Sequence, residues 1–136
     1  MSKQAALALA WTLVILTICW LPTKYVQPDV KPGGFSLGEL HVDKLGHTGI
    51  FAILSYLLIS VPWLRQRPGL VVFLGGVVAV VSEVGQGLLP TGRTADLFDL
   101  LADLAGVFLG VWVYRRLRGP LSERSVEQGV EVSARG

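Results

Sequence analysis

The sequence predicts an all-α membrane protein, a bundle of four transmembrane helices. Three observations carry this. Hydrophobic residues make up 51% of the chain and charged ones only 16%, whereas a soluble domain keeps about a quarter of its residues charged. The charges stand in blocks rather than alternating with apolar positions. Between the blocks lie four apolar runs, at residues 5–21, 45–63, 70–89 and 97–114, each close to the ~20 residues that cross a hydrocarbon core.

Each run is predicted as a helix, because in lipid the backbone must satisfy its own hydrogen bonds whatever the Val and Ile content. Pro22, Pro62, Pro68 and Pro90 stand at or beside run ends, where a missing N–H does least harm. Trp11, Trp20, Trp63, Trp112 and Tyr114 lie mostly near those ends, as interfacial aromatics do. The first run has Lys3 ahead of it but no small-residue cleavage site behind it, and Leu16-Thr17-Ile18-Cys19 makes a poor lipoprotein box. It is expected to be a retained helix. Cys19 is the single cysteine, which excludes an internal disulfide and a Cys-based metal site.

Orientation follows from Lys and Arg. Four spans put both termini on one side, with Lys3, Arg65, Arg67, Arg115, Arg116 and Arg118; the other side holds Lys24, Lys31, Lys44 and Arg93. The excess places both termini in the cytoplasm. Residues 1–118 then form one transmembrane domain, and residues 119–136 a polar, disordered cytoplasmic tail. The net charge of +2 is small and its basic residues flank the spans, which suits membrane lipids and not nucleic acid. No cofactor is expected.

Ionisable groups inside spans are costly, roughly 2.5–3.5 kcal/mol each at a helix centre, and usually mark function. Asp43, Lys44 and His47 open the second run, Glu83 and Gln86 sit late in the third, Arg93 follows it, and Asp96, Asp99 and Asp103 open the fourth. All of these fall at one depth, toward the outer side. At ~100° per residue, Asp43 and His47 are about 40° apart, and the three aspartates fall within about 60° of each other. Gly76, Ala79, Glu83 and Gln86 share a face. Gly106 and Gly110 extend the aspartate stripe as a small-xxx-small pair, best read as helix packing. Asp96 suits a helix N-terminus, where the dipole favours an acid, whereas Asp103 lies too deep for capping. Arg93 is placed to neutralise the acids or to hold an anionic headgroup. His41 and Glu39 read as loop residues. His41 and His47 point to different sides of a helix, so no metal site is expected from them.

The same residues carry a resemblance. Asp43-Lys44-x-x-His47-x-x-x-Phe51, then Glu83-x-x-Gln86, then Pro90-x-x-Arg93-x-x-Asp96-x-x-Asp99, then Gly106-x-x-x-Gly110 resemble the VanZ-like family over roughly residues 5–115. Where that family usually has Asn, this chain has Asp103, which adds an acid. The family is named for an accessory protein of teicoplanin resistance in bacteria. The resemblance implies a multispan protein of the bacterial cytoplasmic membrane with an envelope role.

Three functions compete. The first is binding or processing of an anionic lipid-linked substrate or cell-wall intermediate, with effects on glycopeptide susceptibility. Here Lys44 and Arg93 would engage phosphate, and His47, Glu83 and Asp99 would be the candidates for catalytic proton transfer. No activated nucleophile accompanies them, Ser82 being the nearest hydroxyl, and signatures of known membrane phosphatases are absent. The second is a proton-coupled small transporter or lipid flippase, with Glu83 and Asp103 as proton carriers. The third is a non-catalytic membrane scaffold.

Overall fold

The structure is a computed structural model that describes residues 2–22, 37–90 and 95–134, with side chains for 2–22, 44–90 and 95–118. Among the described residues the chain forms four helices and no strand: α1 (Lys3–Trp20), α2 (Leu37–Ser60), α3 (Pro68–Leu88) and α4 (Leu97–Ala134). α1, α3 and the Leu97–Arg118 stretch of α4 are each long and apolar enough to cross a membrane, and α2 contributes the shorter apolar helix Lys44–Ser60. α4 continues through 119–134, the stretch that composition reads as a tail.

Local chemistry sets most helix ends. The Ser2 hydroxyl accepts the Ala5 N–H at 3.2 Å and caps α1, one of the four orphan donors of a helix start. α1 stops at Trp20, two residues before Pro22. Pro68 begins α3 at a position that needs no N–H. The Asp96 carboxylate accepts the Phe98 N–H at 2.8 Å, so Asp96 does cap α4. Between α2 and α3 the chain turns tightly, with Leu64 N–H bonded to Val61 O at 3.0 Å and Arg67 N–H to Leu64 O at 2.8 Å. Val61 and Leu64 are buried in that turn and close the end of the bundle.

The bundle is apolar outside and partly polar inside. Leu7, Leu13, Phe73, Leu88, Phe98, Phe108 and Trp112 are all more than half exposed, while His47, Glu83, Gln86 and Asp103 are buried. Water would reverse that arrangement; lipid favours it.

α2 packs most extensively on α4, and α1 lies across α2 and α3. The α2–α4 contact depends on Gly106 and Gly110. A Cβ on Gly106 would run into the Thr48 carbonyl oxygen, and one on Gly110 into the Ala52 carbonyl oxygen and the Ser55 hydroxyl. The two glycines therefore let backbone meet backbone, as the small-xxx-small spacing suggests. On α3 the fully buried glycine is Gly75, packed on Val107, with Gly76 only partly covered. Ala79, Glu83 and Gln86 of the face expected from sequence are buried, and only its glycine is replaced at the centre by Gly75.

Candidate polar site between α2, α3 and α4

The α2–α4 approach positions the site. Thr48 Oγ1 donates to the Ala102 carbonyl at 3.2 Å, which pins the register of the two helices just where Gly106 admits the α2 backbone. His47, one residue earlier, then meets Asp103 on α4, with Nδ1 2.8 Å from Oδ1. Neither side chain reaches appreciable solvent, their exposures being 6% and 0%. α3 brings Glu83 to the same point. Donor atoms of His47, Glu83 and Asp103 all lie within 4.8 Å of one another. Gln86, one turn along α3, is buried beside them in sequence. Glu83 Oε2 accepts the backbone N–H of Asp96 at 2.9 Å. Its other oxygen, Oε1, is buried and has no hydrogen-bond partner among the described residues.

A second layer lies closer to the helix ends. Lys44 Nζ is 2.6 Å from Asp99 Oδ1 and 3.6 Å from Asp96 Oδ2. Asp99 is largely covered and Lys44 and Asp96 are partly open, at 25% and 40%. The Lys44 ammonium also sits 5.6 Å from the centre of the Phe98 ring, a cation–π distance. Asp96 joins the layers: its carboxylate reaches Lys44 and Phe98 N–H, and its own N–H holds Glu83.

The depth of the site follows from the helix rise. At ~1.5 Å per residue, Glu83 lies about 7.5 Å inside the end of α3 and Asp103 about 9 Å inside the start of α4. The site therefore sits near one end of the bundle rather than at its middle. Of the residues singled out in the sequence, the structure brings together Lys44, Asp96 and Asp99 in one layer, and His47, Glu83 and Asp103 in the other, with Gln86 buried on the Glu83 face. Asp43 lies in α2, but its side chain is outside the described residues, and so is the whole of Arg93. Ser82 is buried and donates to the Ala79 carbonyl of its own helix at 2.8 Å, which leaves its hydroxyl unactivated.

This order of motifs on an inside-polar helical bundle can be set against known families. A family model described as VanZ/LLP1 matches residues 5–118. The chain belongs to the VanZ/LLP1 family. No curated protein and no solved structure matches it. In this VanZ-family chain the matched region covers all four helices up to the last basic residues of the membrane-crossing part of α4, and so contains every residue of both polar layers.

Residue-type reasoning passed over two residues that hold the VanZ-family site in place. Thr48 is one; the row Thr48, Ala52, Ser55 of small residues at helical spacing was its signal. Trp20 is the other. Its indole N–H donates to the Ser82 carbonyl at 3.3 Å and its ring occupies the place a Cβ on Gly85 would need. The pairing of an interfacial Trp with a Gly on another helix leaves no mark in the sequence.

Proposed function

We propose that this VanZ-family protein is a multi-pass protein of the bacterial cytoplasmic membrane with both termini in the cytoplasm. It binds or processes an anionic envelope lipid or lipid-linked cell-wall intermediate at the outer end of its bundle, and through that ligand it affects glycopeptide susceptibility. The observation that carries this reading is the position of Lys44. Its ammonium stands on the partly open rim of a buried polar cluster, beside an outer surface of apolar side chains. A lipid could place its tail along that surface and its headgroup at the rim. Arg93, three residues before Asp96 in sequence, adds a planar donor for phosphate. Placement near one end favours lipid handling over transport, whose sites are typically at the midplane. His47 and Asp103 form an acid–base pair suited to moving a proton.

The test is mass spectrometry of lipids retained by protein extracted in native nanodiscs. Wild type should carry an anionic lipid or lipid-linked saccharide above its bulk level. Lys44→Ala and Arg93→Ala should return it to bulk, and Arg93→Lys should keep much of the stability but not the enrichment, since a point charge replaces a bidentate fork. Equal enrichment in wild type and both alanine variants would remove the reading. The topology has its own test: in a Cys19→Ala background, Ser36→Cys should react with an impermeant maleimide added outside the cell and not from the cytoplasmic side.

A further inference from the structure

Among the described residues the two layers together carry an excess of negative charge, and the deep layer holds a carboxylate oxygen with no hydrogen-bond partner. Glu83, Asp96, Asp99 and Asp103 are matched among the described residues by Lys44, and by His47 only when it is protonated. Glu83 is buried, and its Oε1 has no hydrogen-bond partner among the described residues, a state that costs free energy in a low-dielectric interior. It lies on the side chain whose donor atom falls within 4.8 Å of those of His47 and Asp103.

We propose that His47, Glu83 and Asp103 bind a divalent first-row transition-metal ion. One imidazole nitrogen and two carboxylate oxygens come from three different helices, a donor set of nitrogen and oxygen without sulfur that suits Zn²⁺, Mn²⁺ or Fe²⁺. Three protein ligands leave coordination positions open, as in reactive rather than purely structural sites. The geometry is close to what an ion needs. Two ligands each ~2.1 Å from a shared ion stand about 3.0–3.4 Å apart, and His47 Nδ1 and Asp103 Oδ1 are already 2.8 Å apart. An ion between them replaces their hydrogen bond with a small opening of the pair, and Glu83 swings Oε1 inward. The Asp96 N–H on Glu83 Oε2 then orients the ligating carboxylate, as outer hydrogen bonds to metal ligands do. The absence of a second histidine at ligand spacing does not weigh against this set, because its other donors lie on α3 and α4. Use of the open positions for headgroup phosphate rests on the lipid reading above; the metal site does not.

Purified full-length protein, stripped with chelator and titrated with Zn²⁺ or Mn²⁺ alone, should retain close to one equivalent per chain after desalting, measured by elemental mass spectrometry. Asp103→Asn and Glu83→Gln should each weaken binding by about tenfold or more. Lys44→Ala, outside the donor set, should keep the full equivalent. With Mn²⁺ bound, pulsed EPR should show coupling to one imidazole nitrogen, lost in His47→Gln. Gel filtration and circular dichroism identify any variant that does not fold, and the Asn and Gln variants preserve side-chain volume. Wild type with no saturable binding, or undiminished binding in both folded Asp103→Asn and folded Glu83→Gln, overturns the site. Metal bound at full stoichiometry with no lipid enrichment would uphold the site and sink only the lipid reading.

Discussion

At the end of the bundle where α3 gives way to α4, interior volume is filled by His47, Glu83, Gln86 and Asp103; at the other end it is filled by Ile59, Val61, Leu64, Val71, Val111 and Tyr114. The apolar end has the Tyr56 and Tyr114 rings in edge contact, with centroids 5.4 Å apart, and Arg65 over the Tyr114 ring at 5.9 Å. The two ends differ in what lipid can offer instead. An apolar side chain turned outward meets tails as apolar as the core, so its burial gains packing contacts and little more. A carboxylate or imidazole turned outward meets nothing that can replace its partners. The polar end is thus held by the penalty of every alternative, and the apolar end by fit.

The largest expected effect comes from breaking both ends at once. Gly110→Val would drive a side chain into the Ala52 carbonyl and Ser55. Backbone cannot yield there, so the loss should exceed both the ~1–3 kcal/mol typical of overpacking and the roughly 3–5 kcal/mol of a broken buried ion pair. It should appear as aggregation on gel filtration in detergent; a normal elution and melting curve would show that α2 and α4 can separate without harm.

Next in size is the polar end alone. Asp103→Ala takes the carboxylate partner from the buried His47 imidazole, at a cost of roughly 3–5 kcal/mol if the imidazole stays charged. A thermal melt should register this, and the double variant with His47→Ala should be less damaged than the two single losses summed. Strict additivity would mean that the 2.8 Å pair is not an energetic unit.

At the apolar end the same size of truncation should matter less. Leu64→Ala is expected to cost about 1–2 kcal/mol, below the ~2–5 kcal/mol of a water-filled reference. A loss equal to that of Asp103→Ala would erase the contrast between the ends. Smallest of all is Thr48→Val. It removes one α2–α4 hydrogen bond worth about 0.6 kcal/mol by membrane-protein averages, and melting against wild type at matched detergent would resolve it.

The contrast also explains what could be read from the sequence. The spans were legible because ~20-residue apolar runs bounded by prolines leave lipid-crossing helices as the only satisfied backbone. That His47, Glu83 and Asp103 would share a depth was legible from helical phase and from their distance to run ends. Their pairings were not. Arg93 was read as the fixed counter-charge, yet it lies outside the described residues, and the cation that contacts the acids among those described is Lys44. Glu83 takes its hydrogen bond from the Asp96 main chain, and a backbone donor has no residue type to announce it. That Gly75 is more buried than Gly76 has a similar cause, since a face is wider than one residue and the contact with Val107 on α4 decides which glycine lies at its centre.

Trp20 gives the protein a light source at its polar end. The indole rests against Gly85 and bonds to the carbonyl of Ser82, on the very turn of α3 that carries Glu83 and Gln86. Trp63 and Trp112 are more than half exposed and would emit from lipid as a steady background. Any occupant that draws Glu83 inward must tug this turn, and so alter the surroundings of one ring out of the chain's four tryptophans. Emission from Trp20, isolated by replacing the other three with Phe, would then change as the site fills, with no label attached and no ligand named in advance.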